Sequence, residues 1–374
     1  MLLTQFRATR PPHEVAQQRS LDWLAIAHAE AEAVTKQLDD AERIAFAARI
    51  ARVLKRCACD PDKIRTRAMA IPDLATRSFA ENLIYDLPQF PHGRSWSERS
   101  ALFANIVDAY FVSEYSGISE PPADLIHVTC TGYVSPSGAQ KLVAQKRWGQ
   151  ATRVTHAYQM GCYAAMPAIR IAAGFAATGS NRIDIVHTEL CSLHLDPTDH
   201  RVEQLVVQSL FADGLIRYSV TPDGAGPGLR PLAMLECVVP DSAGAMSWVV
   251  SNWGMQMTLA RDVPDRIAGA LRGFVTELLR RAGLDLGAIK ASVFAVHPGG
   301  PKIIDRVAEV LELAPAQVSA SRDVLYDHGN MSSATLPHIW MRMLEDPRLP
   351  RGTLIPSLAF GPGLTVCGAL LEKR

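Results

Sequence analysis

The feature that most constrains the fold is a pattern that occurs twice: a short apolar strand, a turn of small residues, then a helix. The first copy covers residues 124–132 and 137–146, and the second covers 291–300 and 302–311. Strands that alternate with helices are typical of layered α/β folds. The repetition therefore predicts a duplicated α/β architecture with a pseudo-twofold axis.

Each copy continues in the same way, with an apolar helix that begins near residue 162 in the first and near residue 330 in the second. Each half then closes with two predicted buried strands: 183–191 with 215–221, and 354–360 with 364–371. Between the halves, residues 222–228 contain three glycines and two prolines, which break the pattern. We therefore predict a first half over residues 1–221 and a second over 222–374.

The part of the chain before the first copy is predicted to be largely helical. Residues 13–55 have apolar positions three and four apart, which is typical of amphipathic helices. Residues 72–99 contain several prolines and are predicted to be irregular, with helix returning over 100–116.

Composition excludes several classes of protein. The chain has 374 residues, of which 48% are hydrophobic, and its 38 basic residues balance 38 acidic ones. This balance argues against nucleic acid and anionic membranes as partners. No apolar run reaches the roughly 18 residues of a membrane span, and the N-terminus lacks the apolar core of a signal peptide. We therefore expect a cytoplasmic protein of one or two globular domains.

The cysteines give no sign of a structural framework. There are seven, an odd number, without paired CxxC spacing, so neither a disulfide network nor a zinc site is predicted. Cys57 and Cys59 are interpreted as ordinary thiols at a helix end.

Cys162 is the candidate nucleophile. It follows Gly161 at the start of an alanine-rich helix, where unpaired N–H groups and the helix dipole favour an ionised thiol. Taken alone, a cysteine beside alanine and methionine is more often a small buried hydrophobic residue.

His297 and Asn330 make the catalytic interpretation stronger. Alone, the first could be a hydrogen-bonded turn residue and the second a helix N-cap. If the two halves superpose, however, Cys162, His297 and Asn330 stand at corresponding corners and face one another across the axis. Three reactive residue types at such corners predict a catalytic site.

Several motifs around these residues occur together in one known family. They are Tyr158-Gln-Met-Gly-Cys162, Gln208-Ser-Leu-Phe-Ala-Asp-Gly214, Val239-Pro-Asp-Ser-Ala-Gly244, Val296-His-Pro-Gly-Gly-Pro-Lys302, Gly329-Asn-Met-Ser-Ser-Ala334 and Phe360-Gly-Pro-Gly-Leu-Thr365. With them the sequence resembles the type III polyketide synthases, the chalcone synthase-like branch of the condensing enzymes. The resemblance covers roughly residues 100–374 and implies a thiolase-like duplicated αβαβα layered fold.

The resemblance also implies a mechanism. Cys162 would be acylated by a starter thioester and would form an ion pair with His297. His297 and Asn330 would donate hydrogen bonds to the oxygen of the enolate that forms when an extender loses carbon dioxide. Neither step needs a metal or a redox cofactor; the substrates would be acyl thioesters of coenzyme A or of carrier-protein phosphopantetheine.

The predicted pocket residues differ from the plant enzymes of this family. Phe211 matches the gate residue, whereas Met257 stands near a second gating phenylalanine. Trp248 stands where the plant enzymes have glycine, and His194 where they have a small hydroxyl residue. A reshaped pocket and a product other than a chalcone are therefore expected.

Partner and donor are also implied by the family. The loop after Thr131 contributes to the partner's cavity in family homodimers, so a homodimer is expected. The basic residues that bind the phosphates of coenzyme A are matched only partly, by Lys55 and Arg56 or nearby Arg52. This leaves open a carrier-bound donor, as in bacterial relatives that join two β-ketoacyl chains into an α-pyrone.

Other interpretations of the site remain. Within the family, iterative extension with malonyl units competes with α-pyrone formation, and a fatty-acid-type priming synthase is a near rival. The order Cys, His, Asn, with Gln159 ahead of Cys162, also describes a papain-like protease. The duplicated organisation argues against a protease, and the presence of all three reactive residues argues against an inactive partner subunit.

Overall fold

The computed structural model describes residues 1–76, 78–224 and 226–374. Its strands are β1 (Leu2–Thr9), β2 (His13–Ala16), β3 (Thr66–Met69), β4 (Asp124–Thr129), β5 (Arg153–Tyr158), β6 (Ile183–Glu189), β7 (Gly214–Thr221), β8 (Leu229–Val238), β9 (Met246–Val250), β10 (Met255–Leu259), β11 (Ala295–Val296), β12 (Leu354–Gly361) and β13 (Thr365–Lys373). Its helices are α1 (Gln17–Lys36), α2 (Asp40–Cys57), α3 (Trp96–Glu114), α4 (Gly138–Gln145), α5 (Ala165–Ala177), α6 (Val202–Leu210), α7 (Val263–Arg281), α8 (Pro301–Val310), α9 (Ser319–His328) and α10 (Thr335–Glu345).

The strand neighbours confirm the predicted duplication. In the first half β4 is parallel to β6, β6 is antiparallel to β7, and β7 is antiparallel to β1. In the second half β11 is parallel to β12, β12 is antiparallel to β13, and β13 is antiparallel to β8. The two halves therefore repeat one four-strand arrangement.

The two halves are joined through a single sheet. Within the described ranges nine strands run in the order β11-β12-β13-β8-β1-β7-β6-β4-β5. The junction is the antiparallel contact of β1 with β8, where Leu3 pairs with Leu229. The division at residue 222 falls between β7 and β8 and stays a prediction.

Most predicted elements are present, with shifted ends. The strand predicted over 291–300 shortens to β11, whereas both predicted pairs of closing strands form. Helix α3 begins at Trp96, four residues before its predicted start, because Ser95 and Glu98 form a capping box.

The N-terminal region differs most from the prediction. Residues His13–Ala16, predicted to be helical, form β2 and pair with β3. Strand β1, which joins the two halves of the sheet, was not predicted. Helices α1 and α2 follow as expected, and a capping box of Asp39 and Glu42 starts α2.

The core that positions the site surrounds α5 and α10, the helices that follow Cys162 and Asn330. Ala165 and Ile169 of α5 and Leu336 and Trp340 of α10 are fully buried in one cluster with the central strands. Burial of each large apolar side chain contributes about 1.5–3 kcal/mol, so both helix starts are firmly held. In the described part of the chain, no helix is long and apolar enough to cross a membrane.

Candidate active site

Two corresponding corners of the fold bring Cys162 and Asn330 together. Cys162 lies in the short turn Gly161–Tyr163 that precedes α5. Asn330 lies just before the short turn Ser332–Ala334 that precedes α10. The two turns touch, because the Sγ atom of Cys162 lies 3.8 Å from the Oγ atom of Ser332.

Two glycines allow the motif after β12 to close against the Cys162 turn. Gly161 has a φ of 71°, and a Cβ atom there would lie 2.7 Å from Cδ of Pro362. A Cβ atom on Gly361 would lie 2.2 Å from Cδ1 of Tyr163. Both positions therefore require glycine, which explains why these two motifs occur in one chain.

The surroundings of Cys162 raise the pKa of its thiol, whereas the sequence predicted an ionised thiol. Burial raises the pKa of Cys162 to about 12, and the nearby Glu189 contributes to this rise. Hydrogen bonds with Ser332 and Asn330 act to lower this pKa but do not offset burial. The sequence identified the favourable helix end but gave no measure of desolvation, which is the larger effect here.

Asn330 is held with its amide N–H₂ group free to donate. Its backbone N–H donates to the carbonyl of Leu210 at 2.9 Å, and its carbonyl accepts from the N–H of Ala212 at 2.8 Å. Its Oδ1 atom accepts from the N–H of Ser332 at 2.9 Å. Because the oxygen is engaged, the amide nitrogen is the end that can stabilise an anion beside Cys162.

His297 is buried directly after β11. Its backbone N–H donates to the carbonyl of Leu358 at 2.8 Å, which continues the pairing of β11 with β12. Among the described residues, neither ring nitrogen has a hydrogen-bond partner. Burial lowers the pKa of His297 to about 3, so the ring is neutral and the expected ion pair with Cys162 is not formed at rest. An unpaired buried imidazole costs free energy and is typical of a site that awaits a ligand.

A small cavity of about 30 Å³, partly open to solvent, is lined by four of the predicted pocket residues. Phe211, Trp248, Met257 and His194 all line it. The remaining lining residues are Cys191, Leu195, Asp196, Asp199, Gln204, Val207, Gln208, Met255 and Gln256.

Phe211 connects this cavity to Asn330. The two residues form a parallel bridge, and the chain on either side of Phe211 supplies both backbone hydrogen bonds of Asn330. Phe211 therefore connects the cavity lining to Asn330, and its role as a gate stays a prediction.

Trp248 and Met257 face each other across the hairpin of β9 and β10. The indole N–H of Trp248 donates to the carbonyl of Cys130 at 2.6 Å, which fixes the ring over the cavity. The ring of His194 meets it edge-on, with centroids 5.7 Å apart. These two large residues occupy space that glycine and a small hydroxyl residue would leave open.

His194 is held as a neutral ring. Its Nδ1 atom accepts from the N–H of Met255 at 3.2 Å, so Nε2 carries the proton and donates to the carbonyl of Thr131 at 2.8 Å. Burial lowers the pKa of His194 to about 3, in agreement with this tautomer.

The other predicted binding residues lie outside the cavity lining. The hydroxyl of Thr131 contacts Oε2 of Glu189 at 3.1 Å and accepts from the N–H of Leu190 at 2.9 Å, so it is used within the fold. Lys55 and Arg56 are exposed in the last turn of α2. Their binding roles stay predictions.

The sequence analysis did not identify two buried charged residues near the site, Arg67 and Glu189. Arg67 donates to the carbonyls of Gln208 and Phe211 at 2.9 and 2.8 Å, and so supports the gate. Glu189 is fully buried at the end of β6, within hydrogen-bond distance of Cys130 and Thr131. The available signal for Glu189 was a carboxylate at the end of a strand that the sequence predicts to be buried.

A duplicated α/β fold in which a buried cysteine and asparagine meet at two corresponding helix starts, with a buried histidine after β11, is typical of thiolase-fold condensing proteins. Residues 232–373 match the family described as "Chalcone and stilbene synthases, C-terminal domain". The chain is 29% identical over 274 residues to "Type III polyketide synthase C" of Arabidopsis thaliana, covering 70% of each. It is also 31% identical over 272 residues to "Probable polyketide synthase 1" of Dictyostelium discoideum, covering 70% of this chain and only 8% of that protein.

The fold comparison agrees. The C-terminal type III polyketide synthase domain of Steely1, a type I/III hybrid from Dictyostelium, superposes with a TM-score of 0.82 at 25% identity, covering 100% of this chain and 99% of that one. The chain is therefore similar to the chalcone synthase-like type III polyketide synthases over most of its length, and its fold is thiolase-like.

Proposed function

We propose that this chain is a ketosynthase that condenses acyl thioesters through an acyl group held on Cys162. The observation that carries this proposal is the donor N–H₂ of Asn330 beside the thiol of Cys162, with the cavity adjoining through Phe211. A nucleophile next to a preorganised donor is what acyl transfer and enolate formation require.

The first step loads the enzyme. The sulfur of Cys162 attacks the carbonyl carbon of the starter thioester, the C–S bond to the donor breaks, and the donor thiol leaves with a proton. The second step forms the new carbon–carbon bond. A malonyl-type extender loses carbon dioxide, the resulting enolate carbon attacks the acyl carbon, and the thiolate of Cys162 is released.

Asn330 and His297 would serve the second step. The enolate oxygen would accept hydrogen bonds from the amide of Asn330 and from a ring N–H of His297, whose nitrogens have no other partner among the described residues. One preorganised donor of this kind is worth about 3–4 kcal/mol of transition-state stabilisation. Both steps use only the thioester substrates and these side chains.

We further propose that the product leaves as an α-pyrone. Trp248 and His194 line the cavity and limit the length of chain that it can hold. A short β-ketoacyl chain can close by attack of an enol oxygen on its thioester carbonyl, which expels the thiol and forms the ring. Joining two β-ketoacyl chains and iterative malonyl extension both lead to such a ring.

The donor is proposed to be coenzyme A or a carrier protein. Lys55 and Arg56 end α2, and Lys302 is near enough to Cys57 to oppose slightly the rise in the pKa of that thiol that burial causes. These cations suit the phosphate of either donor.

Product analysis tests the function. Purified protein is mixed with acyl and malonyl thioesters carried either by coenzyme A or by a carrier protein, and the products are identified by mass spectrometry. We expect a pyrone whose mass equals the condensed chains less the released thiols and carbon dioxide. If the pyrone formed only from two carrier-bound β-ketoacyl chains, the enzyme would join two chains and would not extend one chain with malonyl units. The absence of any condensed product from all donors would overturn the proposal.

Replacement of Trp248 by glycine should lengthen the products. Loss of the indole removes the ring that covers the cavity beside Met257 and His194. We expect at least one additional extension unit, read by product mass. Trp248→Phe is the matched control, because it keeps an aromatic ring but loses the hydrogen bond to Cys130. Longer products from both variants would show that the hydrogen bond, and not volume, sets chain length.

A homodimer is also proposed. The loop that follows Thr131 carries Tyr133, an aromatic side chain that is 38% exposed and lies beside the half-buried ring of Tyr158. A second copy that covers this loop would bury that apolar surface.

A further inference from the structure

The cavity beside Trp248 is too small for the proposed reaction as it stands. Its volume is about 30 Å³, which is room for about one water molecule. Cavities that hold small-molecule ligands usually measure about 300–1,000 Å³. Part of the lining must therefore move before an acyl chain can enter.

The hairpin of β9 and β10 is the part of the lining that can move as a unit. Within the described ranges its two strands form a sheet of their own and do not join the nine-stranded sheet. A two-stranded hairpin is only marginally stable by itself, so its position depends on the contacts that it makes with the rest of the chain. Val249 and Val250 are 58% and 48% exposed, so the outer side of the hairpin is open to solvent.

Asp196 holds the tip of this hairpin. Its Oδ2 atom accepts from the indole N–H of Trp253 at 3.1 Å and from the amide of Gln256 at 3.4 Å. Its Oδ1 atom accepts from the N–H and the hydroxyl of Thr198 at 3.0 and 2.7 Å. The Nδ1 atom of His92 lies 3.1 Å from the same oxygen. One carboxylate therefore joins the hairpin to two other segments of the chain.

The surroundings of Asp196 favour its ionised form. Burial raises the pKa of this carboxyl, but hydrogen bonds from Thr198 and the nearby His92 together lower it below its ordinary value. Hydrogen bonds to an ionised oxygen are roughly twice as strong as those between neutral groups. The ring of His92 also stacks on that of Trp253, with centroids 3.8 Å apart, so the indole is held on its face as well as at its N–H.

The other hydrogen bonds between the hairpin and the rest of the described chain are formed by neutral groups. The hairpin residues in them are Trp248, Asn252, Met255 and Met257. Two of these bonds are donated by a backbone N–H: that of Trp96 to the carbonyl of Asn252 at 3.1 Å, and that of Met255 to Nδ1 of His194 at 3.2 Å. If the tip moved away from the cavity, both N–H groups would lose their partners and contact water.

We propose that Asp196 is a positioning residue that holds the β9–β10 hairpin against the cavity and thereby limits which acyl chains can enter. When Trp253 leaves Asp196, the tip can move outward about the base of the hairpin, where the N–H of Ala260 donates to the carbonyl of Ala245 at 2.8 Å. Trp248 moves with it and the cavity enlarges. The selection of chains rests on the proposed function, whereas the movement of the hairpin can be measured without it.

Hydrogen–deuterium exchange, resolved to single amides by mass spectrometry, tests this role in the absence of substrate. Asp196→Asn leaves one accepting oxygen in place of two, so it cannot serve both Thr198 and the hairpin. Trp253→Phe keeps a ring beside His92 but removes the N–H that Asp196 accepts. In each variant the amides of Trp96 and Met255 should exchange about 10-fold faster than in the unmodified protein, while the other amides of β9 and β10 keep their rates.

A double variant shows whether the two side chains act together. If Asp196 and Trp253 form one contact, the Asp196→Asn, Trp253→Phe protein should exchange no faster than the faster single variant. Independent, multiplied effects would overturn the proposal. So would unchanged rates at Trp96 and Met255, or faster exchange throughout β9 and β10, which would mean that Asp196 only stabilises the strands. If Asp196→Asn fails to fold, the Trp253→Phe protein decides.

Asp199→Asn is the matched control for exchange. It makes the same chemical change in the same loop, but the carboxylate of Asp199 accepts from the guanidinium of Arg201 at 2.9 Å and bonds to none of the described hairpin residues. The amides of Trp96 and Met255 should exchange in this variant as they do in the unmodified protein.

Product mass provides the second measurement. With the acyl and malonyl thioesters named above, Asp196→Asn protein should release products at least one extension unit longer. Unchanged product masses together with faster exchange would overturn the selection of chains by Asp196. Absence of any condensed product from the unmodified protein would contradict the proposed function instead, and the exchange rates would still decide whether Asp196 holds the hairpin.

Discussion

Cys162→Ala protein should accept no acyl group and form no condensed product. The sulfur is the atom that forms the proposed covalent bond, and Cys130, whose thiol also contacts the hydroxyl of Ser332, is not placed to replace it in the motif that the resemblance identifies. Loss of a catalytic nucleophile lowers turnover by at least about 10⁴-fold. Intact-protein mass spectrometry after mixing with an acyl thioester measures the loading, and product mass measures turnover.

The fold should survive this substitution. Cys162 lies in a short turn whose backbone is held by Gly161 and Gly361, and alanine fits where cysteine fits. Cys237→Ala is the matched control, because Cys237 is an exposed thiol in β8 and should have no effect on loading. Acylation of the Cys162→Ala protein at another residue, with condensation retained, would remove Cys162 from its proposed role.

The duplicated fold could be predicted because its signals are local. Apolar strands, glycine turns and helix starts recur in the same order in both halves, and the strand pairs around β6 and β12 confirm them. The junction of the halves could not be predicted, since the contact of Leu3 with Leu229 depends on residues far apart in the chain. The length of β11 was overestimated for a similar reason. A run of apolar residues does not show where the hydrogen bonding of a strand ends.

The sequence predicted which residues form the site, but it could not predict which of them carry a charge. The corresponding corners bring Cys162 and Asn330 together, and four pocket residues line one cavity. The charges of Cys162 and His297 depend on desolvation, which arises only when distant segments enclose them. Glu189 was missed because a glutamate is normally expected on the surface. Only the position of β6 inside the sheet shows that this one is buried.

Asn330→Asp protein should load an acyl group but fail to decarboxylate the extender. Aspartate keeps an oxygen that can accept from the N–H of Ser332 and from the hydroxyl of Thr335, so the local turn is preserved. It removes the N–H₂ donor and places a carboxylate where the enolate oxygen develops negative charge. Loss of one such donor lowers the rate by about 100- to 1,000-fold, and repulsion adds to this loss.

Release of carbon dioxide from a malonyl thioester measures this step, and acylation of Cys162 measures loading in the same sample. His297→Ala should lower both rates, because the imidazole would assist thiolate formation as well as the enolate. Asn105→Asp on the exposed face of α3 makes the same chemical change away from the site and should leave both rates unchanged. If Asn330→Asp protein decarboxylated normally, the amide of Asn330 would have no part in stabilising the enolate.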